Sequence, residues 1–351
     1  MRDQDRFRGC LIGGAAGDAL GYAIEFSRER QIFDKYGEEG ITAYKLTGGK
    51  AEISDDTQMT LFTAAGLLAA ATQGSDSYAE HIHLSYLDWL ATQEKTYPLP
   101  EGKYSSWLAG VPGLFSRRAP GTTCMSALEC GRRGTIDNPL NKSKGCGGVM
   151  RVAPVGLYFN DRNMDVKEIA RIGAEAAAVT HGHPLGWMPA AALAQIVHEI
   201  SQDGTGIPEA IRHTMHTLNE LWPETEEKAY LLWLMRRAVD LAASDTDSLE
   251  AIHKLGEGWV AEETLAIAIY CALKYENDFD KALIAAVNHN GDSDSTGAVT
   301  GNILGAKFGL SGIPEKYKQD LELKDVILEV ADDLWKDERE TDPARAKKYG
   351  K

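Results

Sequence analysis

Ser54-Asp55-Asp56-Thr57-Gln58 leads directly into Met59-Thr60-Leu61-Phe62-Thr63-Ala64-Ala65-Gly66-Leu67-Leu68-Ala69-Ala70-Ala71, and this junction decides how the chain folds. The apolar run falls short of the ~20 residues that a bilayer crossing needs, so it predicts a helix buried in a protein core. Ser54 stands where a helix cap belongs, with a side-chain oxygen able to accept from the free N–H groups of the first turn. Asp55 and Asp56 then lie at the positive end of the helix dipole.

Most of the remaining sequence repeats at the helical period, with Ala, Leu and Glu prominent and few runs of β-branched residues, so the fold class is all-α. Helices are predicted over about Arg6–Leu20, Thr57–Thr72, Ser77–Thr92, Val166–Val179, Pro184–Ile200, Ile207–Leu221, Thr225–Ala243, Ser248–Leu255, Ala261–Lys274, Asp278–Val287, Ser295–Phe308 and Leu323–Lys336. Pro184, Pro208 and Pro314 suit first helical turns, while Asp247, Asp278 and Ser295 or its neighbours suit caps. The weakly patterned stretch from Gln93 to Lys144 carries Tyr97, Trp107, Leu108, Leu114 and Phe115, which a solvated linker would not. Short helices and loops folded over one helical body are expected there, and a solvated, frayed tail is expected after Asp337.

The chain has 351 residues, 43% hydrophobic and 25% charged, enough for a sizeable core and too apolar for global disorder. Its 52 Asp+Glu against 37 Lys+Arg give a formal charge of -15, which repels phosphate backbones and anionic lipid and makes nucleic acid and membranes poor partners. Five cysteines without a C-x-x-C pair argue against a disulfide framework and a zinc knuckle. Together with an N-terminus that lacks the layout of a signal peptide, they point to the cytoplasm.

Three segments gather acidic residues beside glycines or at helix starts: Gly17-Asp18-Ala19-Leu20-Gly21-Tyr22-Ala23-Ile24-Glu25, Ser54-Asp55-Asp56-Thr57, and Gly291-Asp292-Ser293-Asp294-Ser295-Thr296-Gly297. Each alone reads equally well as a helix cap. Together they read differently, because adjacent carboxylates held in a partly buried site repel each other unless a cation compensates. Asp-x-Asp followed by Ser supplies the hard oxygen ligands that Mg²⁺, Mn²⁺ or Ca²⁺ prefer.

With Arg8-Gly9-Cys10-Leu11-Ile12-Gly13, Gly145-Cys146-Gly147-Gly148-Val149-Met150-Arg151 and Thr180-His181-Gly182-His183-Pro184 added in order, the sequence resembles the ADP-ribosylglycohydrolase family, which includes ADP-ribosyl-arginine hydrolases and dinitrogenase-reductase-activating glycohydrolases. The resemblance implies a compact, multi-helical orthogonal bundle in a single domain over 1–351, with its core at about 6–336. It implies two Mg²⁺ ions, or Mn²⁺, held by Glu25, Ser54, Asp55, Asp56, Asp292, Asp294 and Ser295. Asp55 and Asp56 would also contact the ribose hydroxyls, and Glu25 would position or deprotonate water; these three are the candidate catalytic residues. Ser143, Lys144, Gly145, Gly147, Gly148 and His181 fall on the substrate-binding segments, the glycines letting backbone N–H groups approach a diphosphate.

The implied activity is hydrolysis of ADP-ribose from a modified side chain of a protein, arginine in particular, by water attacking C1″ of the distal ribose, with release of ADP-ribose. Reversal of toxin or regulatory ADP-ribosylation is a compatible role, and the enzyme is expected to be a monomer. An ADP-ribose-binding protein without turnover and a metal-dependent phosphohydrolase are the alternatives. Asp18 is expected to hydrogen-bond loop N–H groups rather than to join the ligands, and His183 to cap a helix. Cys10, Cys124, Cys130 and Cys271 are expected to be small buried hydrophobes, and the seven tryptophans to line core or cleft walls.

Overall fold

Residues 3–100, 104–160, 164–336 and 347–349 are described in the computed structural model of the chain. In chain order the α-helices are α1 (Gln4–Tyr22), α2 (Glu29–Tyr36), α3 (Asp55–Thr72), α4 (Tyr78–Glu94), α5 (Thr122–Glu129), α6 (Ala153–Tyr158), α7 (Val166–Ala178) and α8 (Pro184–His198). They continue with α9 (Ile207–Leu221), α10 (Glu226–Ala242), α11 (Ser248–His253), α12 (Ala261–Lys274), α13 (Phe279–Val287), α14 (Ser293–Gly312) and α15 (Lys324–Trp335). The fold is all-α, and each of the twelve helices expected from periodicity is present. Asp247 caps α11 by accepting from Leu249 and Glu250, Asp278 caps α13, and Asp292 caps α14. The additional helices α2, α5 and α6 are short, of eight, eight and six residues. Strand is confined, among the described residues, to one small hairpin that pairs Leu46–Thr47 with Lys50–Ala51.

Helices α1 and α14 run antiparallel with their backbones in contact, because glycine recurs every fourth residue on both. Gly9 meets Gly305, Gly13 meets Gly301 and Gly17 meets Gly297, and a Cβ on any of them would overlap the opposing backbone. One turn further, Gly21 lies against the Ser293 backbone. The contact therefore lays the end of α1, with Asp18 and Glu25, beside the start of α14, with Asp292 and Asp294. Helix α3 is buried from Asp55 to Ala70, as its composition requires, and packs on α4 and α6.

The stretch from Gln93 to Lys144 forms the short 3-10 turns Trp107–Gly110 and Pro112–Leu114 and helix α5, with Leu108 and Leu114 fully buried. The expectation of a frayed tail is corrected where the tail is described. Tyr349 is fully buried and its hydroxyl donates to Asp333 (3.0 Å), while Lys348 pairs with Glu329 and Asp333. Lys348 and Tyr349 fold back because α15 offers acidic partners; residues 337–346 lie outside the described residues. Cys130 is exposed rather than buried, and Trp233, 49% exposed, lies outside the core.

Candidate active site

Three helix N-termini, those of α3, α5 and α14, open onto one cavity of about 380 Å³. Its lining includes Glu25, Asp55, Asp56, Asp292, Asp294 and Ser295 from the three acidic segments, and Gly145, Cys146, Gly147 and His181 from two of the three other motifs. Residues separated by up to 270 positions thus converge. Among the described residues, no lysine or arginine lines the cavity.

Each acidic side chain is placed by a local device. Ser54 caps α3, its hydroxyl accepting from Asp56 N–H (3.2 Å). Asp55 is gripped from the loop before α5: its N–H donates to the Arg118 carbonyl (3.2 Å) and its Oδ2 accepts from Gly121 N–H (3.0 Å). Between those two residues the chain passes through Ala119 in the left-handed region (φ 49°), which turns Gly121 toward the carboxylate. At α14, Ser295 N–H donates to Asp292 (3.3 Å) and Asp294 (3.0 Å). Asp18 lies beneath, fully buried, accepting from Ser54 N–H, Thr57 N–H and the Thr57 hydroxyl.

The electrostatics are those of a crowded set of like charges. Burial, followed by repulsion from Asp294, Asp292, Asp55 and Asp18, pushes Glu25 up to about 10. Burial first and Asp294 second push Asp18 up to about 7. Asp55, Asp56 and Asp292 are raised well above the usual carboxylate range by burial, with repulsion from Asp294 added in each. Asp294 repels all five of the others and so stands at the hub.

The donor set suits hard divalent cations. Glu25 Oε2 and Asp56 Oδ2 are buried with no hydrogen-bond partner, as unused ligand oxygens would be. No group of three or more Asp, Glu, His or Cys side chains among the described residues is gathered tightly enough to hold a metal ion as it stands. Asp292 and Asp294 hydrogen-bond to each other, Glu25 Oε2 and Asp56 Oδ2 are unengaged, and all of these donors are hard oxygens, so the chemistry of the donors, rather than a preformed cage, fits the ions.

The substrate-binding residues divide. Gly145, Gly147 and His181 line the cavity; Ser143, Lys144 and Gly148 are not among its lining residues. Lys144 Nζ is paired with the buried carboxylate of Glu262, and Ser143 Oγ bonds Thr123 Oγ1 (3.0 Å) and accepts from Gly145 N–H (3.3 Å). Gly148 is needed for packing, since a Cβ there would overlap the Gly186 carbonyl. The loop is not an open nest of N–H donors, because Cys146 N–H is also taken, by the Trp259 carbonyl (3.2 Å). Its glycines instead keep the wall bare: a Cβ on Gly147 would press on Cys124 Sγ and the His181 ring. His183 caps α8 through Nδ1, which accepts from Leu185 N–H (3.1 Å).

Sequence reasoning missed Phe26, while Trp259 lies on a cleft wall as expected. Phe26, 74% exposed, stacks on Trp259 (centroids 6.3 Å apart, planes at 19°), and both line the cavity. The one signal of Phe26 in the sequence was its place immediately after Glu25. Cys124 is buried in the core, as expected, and also reaches the cavity wall.

Comparison with known proteins gives one consistent result. Residues 1–344 match the ADP-ribosylglycohydrolase family. ADP-ribosylhydrolase ARH3 of Bos taurus is 27% identical, over 92% of this chain and 90% of its own. ADP-ribosylarginine hydrolase Tri1 of Pseudomonas putida is 23% identical, over 99% of this chain and 82% of its own. A solved structure of an ADP-ribosylglycohydrolase-related protein complex shares the fold, with a TM-score of 0.60 at 23% identity, over 95% of this chain and 97% of that one.

Proposed function

This chain belongs to the ADP-ribosylglycohydrolase family, and we propose that it hydrolyses the bond between C1″ of the distal ribose of ADP-ribose and a modified arginine side chain of a protein. The observation that carries the proposal is the convergence of Glu25, Asp55, Asp56, Asp292 and Asp294 in one cavity with the Gly145–Gly147 wall and His181. Preference for arginine rests on the Asp292-Ser293-Asp294-Ser295-Thr296-Gly297 form of the third acidic segment and on similarity to a relative named for that linkage.

Glu25, Ser54, Asp55, Asp56, Asp292, Asp294 and Ser295 are the residues that would hold two Mg²⁺ or Mn²⁺ ions, which when bound supply positive charge for the ribose hydroxyls and lower the pKa of water. Glu25, with its free Oε2, positions the attacking water. Asp55 is held at N–H and Oδ2 by the Arg118–Gly121 loop, which fixes its orientation toward the ribose. The bare glycine wall admits the diphosphate against His181. Acidic groups around the anomeric carbon favour the oxocarbenium-like charge that develops as the C1″–N bond breaks.

Arginine-, serine- and DNA-linked ADP-ribose, offered in parallel with Mg²⁺, Mn²⁺ or a chelator and followed by mass, test the proposal. Intact ADP-ribose from the arginine conjugate, lost with chelator, is the expected product. Phosphate or AMP as the product would instead indicate a phosphohydrolase, and binding without turnover a regulatory protein.

A further inference from the structure

The wall behind the cavity contains a cation that the site described above does not use. Arg151 is fully buried and makes no ion pair among the described residues. Its Nη2 donates to Thr180 Oγ1 (2.7 Å) and the Ala176 carbonyl (3.4 Å), and its Nη1 to Cys124 Sγ (3.2 Å) and Met59 Sδ (3.5 Å). The guanidinium lies 4.3 Å from the centroid of the Tyr86 ring. A buried charge without a counter-ion carries a large desolvation penalty, which neutral acceptors and one aromatic face offset only in part.

Thr180 connects this cation to the cavity. Its Oγ1, already accepting from Arg151, lies 2.8 Å from His181 Nδ1. Arginine has only protons to give, so the threonine oxygen is an acceptor there and its own single proton is free to point elsewhere. Donation from a guanidinium makes that hydroxyl a stronger donor, and an Nδ1–H would point its positive end toward the arginine, so the proton runs from Thr180 to Nδ1. The imidazole's other nitrogen must then carry the hydrogen. Nε2 faces the cavity, 3.2 Å from where a Cβ on Gly147 would sit.

We propose that Arg151 is a positioning residue that acts through Thr180 to hold His181 in the Nε2–H form, presenting a fixed N–H donor to an anionic group of the ligand, which on the function proposed above is the diphosphate of ADP-ribose. The same cation stands one residue behind a cavity whose lining has none. Burial, aided by the Arg151 charge, pushes His181 down to about 3, so the ring stays a neutral donor at physiological pH. Thr180 is buried against Arg151, His181 and the Cys124 thiol, whose sulfur is much the weaker acceptor, and burial leaves the relay closed to competing water.

The ring-nitrogen NMR shifts of His181 in the unmodified protein read the tautomer directly, with the resonances assigned by His181→Asn. The Nε2–H form is expected, and the Nδ1–H form would overturn the proposal without any need of a further variant. Thr180→Val removes the hydroxyl at nearly constant shape and is expected to mix the tautomers and weaken ADP-ribose binding about tenfold; Thr180→Ser should restore both. Tight binding by Thr180→Val, equal to that of the unmodified protein, would also overturn the relay. Failure of the unmodified protein to bind ADP-ribose at all would sink the proposed function instead, whatever tautomer His181 shows.

Discussion

Both carboxylate oxygens of Asp18 accept from the backbone N–H of Ser54, at 2.9 and 3.1 Å, so a residue of α1 fixes the cap of α3 from 36 positions away. Thr57 adds its N–H (3.1 Å) and its hydroxyl. Asp18 is therefore the part that keeps the Asp55-Asp56 turn in register with α1. An amide at this position retains one acceptor and aims an NH₂ group at donors. Asp18→Asn should lower stability by about 1–3 kcal/mol and reduce ADP-ribose release with it, read by thermal unfolding and by turnover.

Asp294 repels Asp18, Glu25, Asp55, Asp56 and Asp292 together. Its replacement by Asn relieves the metal-free protein, so Asp294→Asn should melt about 2 °C or more above the unmodified chain in chelator, on the order of 1 kcal/mol. Addition of Mg²⁺ or Mn²⁺ should raise the melting temperature of the unmodified protein and leave that of the variant unchanged. Turnover should be abolished, as in Asp55→Ala, whose fold should stay intact by circular dichroism. A variant that melts lower in chelator would contradict the crowding argument.

His289 is fully buried, with Nε2 bonded to the Ala286 carbonyl (2.9 Å) and Thr296 Oγ1 (3.0 Å) and Nδ1 without a partner. Burial pushes it down to about 4 from an ordinary 6.5. The unfolded chain therefore binds its proton first as pH falls, and the stability contributed by the neutral ring is complete above 6.5 and lost toward 4. Urea unfolding of the unmodified protein and of His289→Gln should diverge by up to about 1.4 kcal/mol per pH unit below 6.5, the unmodified protein losing more. The acidic cluster titrates alike in both, so the difference isolates the histidine.

The glycine contact between α1 and α14 gives a steric prediction. Gly13→Ala places a methyl group on the Gly301 backbone and should destabilise by about 3 kcal/mol or more, since neither main chain can retreat. Gly110→Ala, where nothing lies within 4 Å of the new Cβ, should shift stability by less than about 0.5 kcal/mol. Chemical denaturation of the two variants side by side provides the check.

How far the sequence could be read depended on the range of each interaction. Helices such as α9 and α12, whose limits coincide with those expected, declare themselves because period and caps are local signals. Convergence of Glu25, Asp55 and Asp294 was legible only through the three acidic segments taken together, since nothing local in any one of them separates a cap from a site. Ser54 turns out to cap α3 in any case. Lys144 could not be assigned from sequence because Glu262, which engages it, lies 118 residues away. The Gly9-Gly13-Gly17-Gly21 spacing was visible, but its meaning required the matching series at Gly297, Gly301 and Gly305 on the partner helix. Phe26 escaped for the same reason, its stacking on Trp259 being a product of the fold.

The pairing of α1 with α14 also has a consequence for synthesis. A growing chain holds the acids of residues 18–25 and 54–56 long before those of 292–294 leave the ribosome, and without α14 the glycine face of α1 has nothing to seat against. Early segments must await residues 293–312, a long-range closure of the kind that slows folding. No translation product that stops short of residue 292 carries the complete acidic cavity.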